Sequence, residues 1–184
     1  MTDSTQSAKE AKEEGIRLFN EGLYDEARAK FEQAREMFLA EGDEVEAAET
    51  LNNLGVVYRM QGQWEKAVEM LEEARAAFVR LGDRAREAQT LGNLGGLYAG
   101  LGEREKAKEQ LQRAADIFAE IGDAQKQGET LLALGVQLWK TGDRSDGLAI
   151  YEAGLHALEK PTISQKTLRA LLSLRARLLG GGKR

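Results

Sequence analysis

His156 is the only histidine among the 184 residues, and there is no cysteine. Disulfides, thiol chemistry and cysteine-based metal centres are therefore excluded. His156 has no residue of triad or metal-ligand spacing beside it, so it reads as a structural or surface histidine rather than a general base. Asp and Glu are plentiful, but in stretches such as EEARAAF and EKAKEQL they sit as solvated charges on helix surfaces, not as acid–base pairs. The many glycines include no GxxxxGK[ST] phosphate loop. An enzyme is not expected, and neither a cofactor nor a metal. What remains is recognition chemistry. Asn53 and Asn93 each stand just before a leucine, at equivalent places in two related stretches. A primary amide both donates and accepts, which suits it to a peptide backbone. The competing reading is a bond to a neighbouring helix.

Gly92, Gly96 and Gly100 are four residues apart and so share one face of one helix. Their counterparts are Asn52, Val56 and Met60 before them and Leu132, Val136 and Lys140 after them. Three glycines inside a helix together cost roughly 2–3 kcal/mol in helix propensity. Two accounts compete. Either a partner's backbone approaches closely, as glycine allows, or neighbouring helices squeeze this one.

These residues can share a surface only if the chain repeats itself in space. It does so in sequence. TLNNLGVVYRMQGQWEKA at 50–67 returns as TLGNLGGLYAGLGEREKA at 90–107 and, more weakly, as TLLALGVQLWKTGDRSDG at 130–147. The period of about 40 residues is that of a helical solenoid. Asp43, Asp83 and Asp123, in the row begun by Asp3, are suited to capping the helices that follow them. The glycine before each aspartate suits the left-handed residue that ends a helix. Gly22, Gly62, Gly102 and Gly142 punctuate the middle of each unit, giving a tight helical hairpin. In the second unit the pattern predicts a helix A over Glu44–Met60 and a helix B over Trp64–Leu81. In helix B, Ala67, Leu71, Ala74 and Phe78 form one apolar stripe. Gly55, in a row with Gly15, Gly95 and Gly135, marks close helix contact.

On Leu51, Leu54, Gly55, Tyr58, Ala67, Leu71 and Ala74, and again on Leu91, Leu94, Gly95, Tyr98, Ala107, Leu111 and Ala114, the chain resembles the tetratricopeptide repeat family. Its longer period and GD junction are similar to the subgroup of animal polarity adaptors, kinesin light chains and some bacterial regulators. The resemblance implies an all-α, right-handed superhelix whose A helices line a concave groove. It also implies a protein-interaction adaptor that takes a peptide segment or helix of a partner protein. In that subgroup the asparagine row faces bound peptide. The expected groove residues are Asn52, Asn53, Val56, Arg59, Met60, Gln89, Gly92, Asn93, Gly96, Gly100, Leu132 and Val136. Asn53 and Asn93 would bond backbone, Val56, Met60, Leu132 and Val136 would form apolar walls, and Arg59 and Gln89 would orient the ligand. The family's carboxylate clamp is matched only by Lys12 and Asn53, with Ile16, Gln89 and Asn93 in its other places. An internal segment is thus favoured over a C-terminal carboxylate.

The expected organisation is four units, at about 1–40, 41–80, 81–120 and 121–160, then a capping helix at 161–179 and a disordered tail at 180–184. In register, Leu171, Leu174 and Leu178 would cover the flank of the fourth unit, and Arg175 takes the glycine row because no helix B follows. Formal net charge is −5, which argues against a nucleic-acid partner. No stretch is long and apolar enough for a membrane span, and the first residues carry no apolar signal core. A soluble cytoplasmic protein without membrane insertion is expected. Residues 160–184 are basic with no acidic residue, a composition open to anionic lipid, nucleic acid or an acidic partner, or simply to cations favoured at a helix end. A structural, self-assembling protein, with homo-oligomers through the C-terminal helix, and a regulatory module sensing a peptide are the competing functions.

Overall fold

The structure, a computed structural model, describes the backbone of residues 7–180 and the side chains of residues 7–174. Among these residues the regular elements are all helices: α1 (Ala8–Asn20), α2 (Tyr24–Glu41), α3 (Glu44–Met60), α4 (Trp64–Leu81), α5 (Arg84–Leu101), α6 (Arg104–Glu120), α7 (Ala124–Thr141), α8 (Arg144–Ala157) and α9 (Ile163–Gly180). They form four antiparallel pairs, α1–α2 to α7–α8, each stacked on the next, with α9 after the last.

Helix starts and stops follow local chemistry. The carboxylates of Asp43, Asp83 and Asp123 accept from the backbone amides of Glu46, Arg86 and Lys126. Each satisfies one of the amides a helix leaves free in its first turn. Asp3 lies outside the described residues. The first helix opens instead at Ser7, where Ser7 and Glu10 exchange bonds in a capping box. The turns need a left-handed residue, and glycine supplies it at Gly22, Gly42, Gly62, Gly82, Gly102, Gly122 and Gly142, all with positive φ.

Phe31, Phe38, Leu71, Ala74, Phe78 and Leu111 fill the space between layers and are buried. The signature glycines are needed for the approach of A to B. A Cβ added at Gly55 would stand 2.6 Å from Cγ of Leu71, and one at Gly95 would stand 2.6 Å from Cγ of Leu111. Gly15 meets the Phe31 ring in the same way.

The fourth pair departs from this pattern. Where earlier pairs have Ala48, Ala67 and Ala74, it has Gly128, Gly147 and Gly154. A Cβ on Gly147 would lie 2.7 Å from the backbone nitrogen of Trp139, and one on Gly154 would lie 2.9 Å from the carbonyl oxygen of Gly128. The α7 and α8 backbones therefore touch directly. The replacement of Ala by Gly147, which in sequence looks like decay of the motif, accompanies the tightest hairpin.

A C-terminal helix follows the fourth pair, but two of the leucines expected to face that pair are exposed. Leu171 and Leu174 are 58% and 53% exposed, and Ile163 is 84% exposed, so these side chains are not buried against the fourth unit. α9 meets the fourth unit through α8, and its half-buried residues are Gln165, Arg169, Leu172 and Ser173. Pro161 and the extended backbone at Leu158 break the chain between the two helices and set α9 out of repeat register. The side chains of Arg175 and Leu178, and the residues 181–184 of the expected tail, lie outside the described residues.

Candidate functional site

The first helices of the pairs, α1, α3, α5 and α7, form one layer, and ion pairs and amides stitch the first three side by side. Lys12 Nζ lies 2.7 Å from Glu46 and 2.9 Å from Glu49, and Arg86 Nε lies 3.0 Å from Glu49. Burial pushes the Glu49 carboxyl up, but its bonds to Lys12 and Arg86 outweigh this and hold it below the ordinary carboxylate value. Burial likewise pulls Lys12 down, and the bonds to Glu46 and Glu49 reverse that, leaving it raised.

Three concavities open along this layer. The first, about 330 Å³, is lined by uncharged side chains: Ile16, Phe19, Phe31, Asn52, Asn53, Val56, Gln89 and Asn93. The second, about 230 Å³, includes Glu49, Arg86, Gln89 and Lys126. The third, about 420 Å³, lies between α5 and α7 over Leu111 and Tyr151, and includes Gly92, Gly96, Leu132, Val136 and Lys140.

The expected groove residues thus divide. Asn52, Asn53, Val56, Gln89 and Asn93 meet at the first cavity, and Gly92, Gly96, Leu132 and Val136 at the third. Arg59 bridges to the third, its Nη1 3.2 Å from where a Cβ of Gly96 would stand. Met60 is exposed and Gly100 is open, and neither lines these cavities. A Cβ on Gly92 or Gly100 would meet nothing within 4 Å. These two positions are not squeezed by neighbouring helices.

The asparagine row also divides. Asn93 Nδ2 donates to Oδ1 of Asn52 at 2.9 Å, the helix-to-helix bond of the competing reading. Asn52 is buried and so belongs to packing as well as to the cavity wall. Asn53 is half-buried at the cavity, and its side chain makes no hydrogen bond to the described residues. Sequence reasoning missed Phe19 and Phe31 as lining, and placed Ile16 only in an unmatched clamp. The signal for Ile16 was present, because the row of Val56, Gly96 and Val136 begins there.

His156 is exposed on α8, and no group of three or more His, Asp or Glu among the described residues is arranged to hold a metal. No helix among them is long and apolar enough to cross a membrane.

The two-layer stack of hairpins, with its packed glycine row and an inner layer carrying the clefts, defines a helical-repeat protein of the tetratricopeptide class. The sequence agrees: tetratricopeptide repeat models match residues 15–78 and 88–121. The chain belongs to the tetratricopeptide repeat family. No curated protein matches it in sequence.

Several solved structures share the fold. BtubC (BKLC) from P. vanneervenii is similar with a TM-score of 0.74 at 23% identity, over 82% of this chain and 62% of that one. The Rap conjugation gene regulator of plasmid pLS20, solved in complex with the Phr* peptide, gives 0.71 at 19% identity, over 94% of this chain and 53% of that one. A putative kinesin light chain repeat protein from Podosopora anserina gives 0.68 at 16% identity, over 96% and 97%. The chain therefore spans under two thirds of the length of the first two.

Proposed function

We propose that the protein is a non-catalytic, cytoplasmic interaction adaptor that binds a peptide segment or helix of a partner protein along the inner layer. The observation that carries this is the row of neighbouring clefts on one layer of helices. An unsatisfied Asn53, exposed Gln89, open glycine positions and the half-exposed Val136 follow one another across α3, α5 and α7, on a scaffold whose own packing is complete without them. Val56 and Leu132 add apolar wall at the first and third clefts. The Rap regulator, bound to a peptide, supports the reading that a fold of this kind takes such a ligand and leaves room for a peptide-sensing, regulatory use. The test is comparative capture from the native source by the wild type, Asn53→Ala and Gly96→Leu. A partner held by the wild type and lost by both variants is expected. A partner set unchanged by both substitutions overturns the groove assignment.

A second reading, self-assembly through α9, is favoured by the exposed Ile163, Leu168, Leu171 and Leu174. Large apolar side chains gathered on one unpartnered helix face are a common basis of association. Sedimentation velocity across a concentration series decides it: a single monomeric species throughout excludes this route.

A further inference from the structure

The arginines of the inner layer are treated alike with one exception. Arg17 pairs with Glu14 and Glu21, Arg84 with Glu87 and Glu120, and Arg86 with Glu49 and Asp83. Each holds two carboxylates. Arg59 holds none among the described residues, in a protein where Asp and Glu outnumber Lys and Arg by 31 to 26. It is half-buried, and its Nη1 lies 3.2 Å from where a Cβ of Gly96 would stand, Gly96 being part of the lining of the cavity between α5 and α7. That cavity has no acidic side chain in its lining, and Lys140, its one cation, has no acidic partner among the described residues either. The guanidinium is a planar fork of donors matched to a carboxylate, and such charge-assisted bonds are the strong ones. A carboxylate from outside the chain is the group these two cations lack.

We propose that Arg59, with Lys140 in the cavity lining, receives an acidic side chain of the bound segment, so that the preferred ligand carries Asp or Glu beside apolar residues that meet Leu132 and Val136. This rests on the groove reading above and adds the ligand's chemistry to it. A nucleic-acid phosphate fits less well, because the chain as a whole carries net negative charge and would repel a polyanion.

The test is selection of a phage-displayed random dodecapeptide library on the intact wild-type chain. Enriched peptides are then made synthetically and titrated against wild type, Arg59→Gln and Gly96→Leu. The expected result is a shared Asp or Glu with apolar neighbours. Replacing that acid by its amide weakens binding to the wild type about tenfold or more, while having little effect on Arg59→Gln. Gly96→Leu abolishes binding. Should Gly96→Leu lose its helical circular dichroism, Val136→Trp, which fills the cavity with an uncharged side chain from an exposed position, serves as the groove-blocking variant. Enriched peptides that Gly96→Leu blocks but that show no acidic preference would overturn the role of Arg59 and leave the groove standing. No enrichment, or peptides indifferent to both groove variants, would overturn the groove reading and this proposal together.

Discussion

The side-chain amide of Asn93 on α5 donates to Oδ1 of Asn52 on α3 at 2.9 Å, tying two neighbouring repeats together inside the wall of the first cleft. The equivalent residue Asn53 stands in the same cleft without such a bond. The two members of one sequence row therefore do different work, and substitutions should separate them.

Asn93→Ala is expected to lower stability by about 1 kcal/mol, because the buried Asn52 loses its partner. Asn53→Ala should leave stability within about 0.5 kcal/mol, as surface changes do, while weakening whatever the groove binds. Urea denaturation of both variants checks the first half. Equal destabilisation by the two substitutions would show that the distinction between them is wrong.

Glycines in α5 should respond in opposite directions. Gly95→Ala forces a methyl to 2.6 Å from Leu111 Cγ and should destabilise by about 1–3 kcal/mol. Gly92→Ala meets nothing within 4 Å and should stabilise by up to about 1 kcal/mol through helix propensity. Thermal melts of the two proteins, three residues apart in one helix, give the comparison.

Acid should loosen the first three repeats. The Glu49 carboxyl is held below its ordinary value of 4.5 in the folded protein. Its contribution is therefore full above pH 4.5 and is lost as pH falls through the depressed folded value. Lys12→Met removes one of the two cations that hold it down, so the variant should be less stable at neutral pH and show a shallower loss below pH 4.5. Denaturant midpoints measured at neutral and acid pH test this. A wild type and variant with parallel pH profiles would rule the linkage out.

Removal of α9 should have little effect on the solenoid. With Leu171 and Leu174 more than half exposed and the main contact of α9 made to α8, deletion of residues 162–184 is expected to shift stability by no more than about 1 kcal/mol. A large fall in Tm, or aggregation of the truncated chain, would mean that α9 covers the fourth pair in solution.

Much of this architecture is legible in the sequence because each position repeats its physical task. The limits of α3 and α4 follow from Asp43, the turn glycine Gly62 and Gly82, and Gly55 announces its own contact with Leu71. What is not legible depends on pairs that do not repeat. Asn52 has Gly92 and Leu132 as counterparts, so no row signals its bond to Asn93. The fourth pair reads as a weakened motif because loss of Ala and gain of Gly look alike whether a helix contact slackens or closes. The departure of α9 from the repeat pattern begins at Leu158, where the backbone turns extended without a left-handed glycine, and continues through Pro161.

The seven left-handed glycines fall at intervals of twenty residues from Gly22 to Gly142. Each helix from α2 to α7, with its turn, thus occupies the same length of chain, whichever layer it belongs to. One inserted residue within a helix would rotate all that follows it by about 100°, carrying the next glycine away from its turn and the next apolar stripe away from its neighbour. The chain is in effect a ruler with fixed divisions. Its length can change without internal damage only by whole hairpins, so duplication or loss of complete modules, rather than gradual insertion, is the route by which such a protein can gain or shed binding surface.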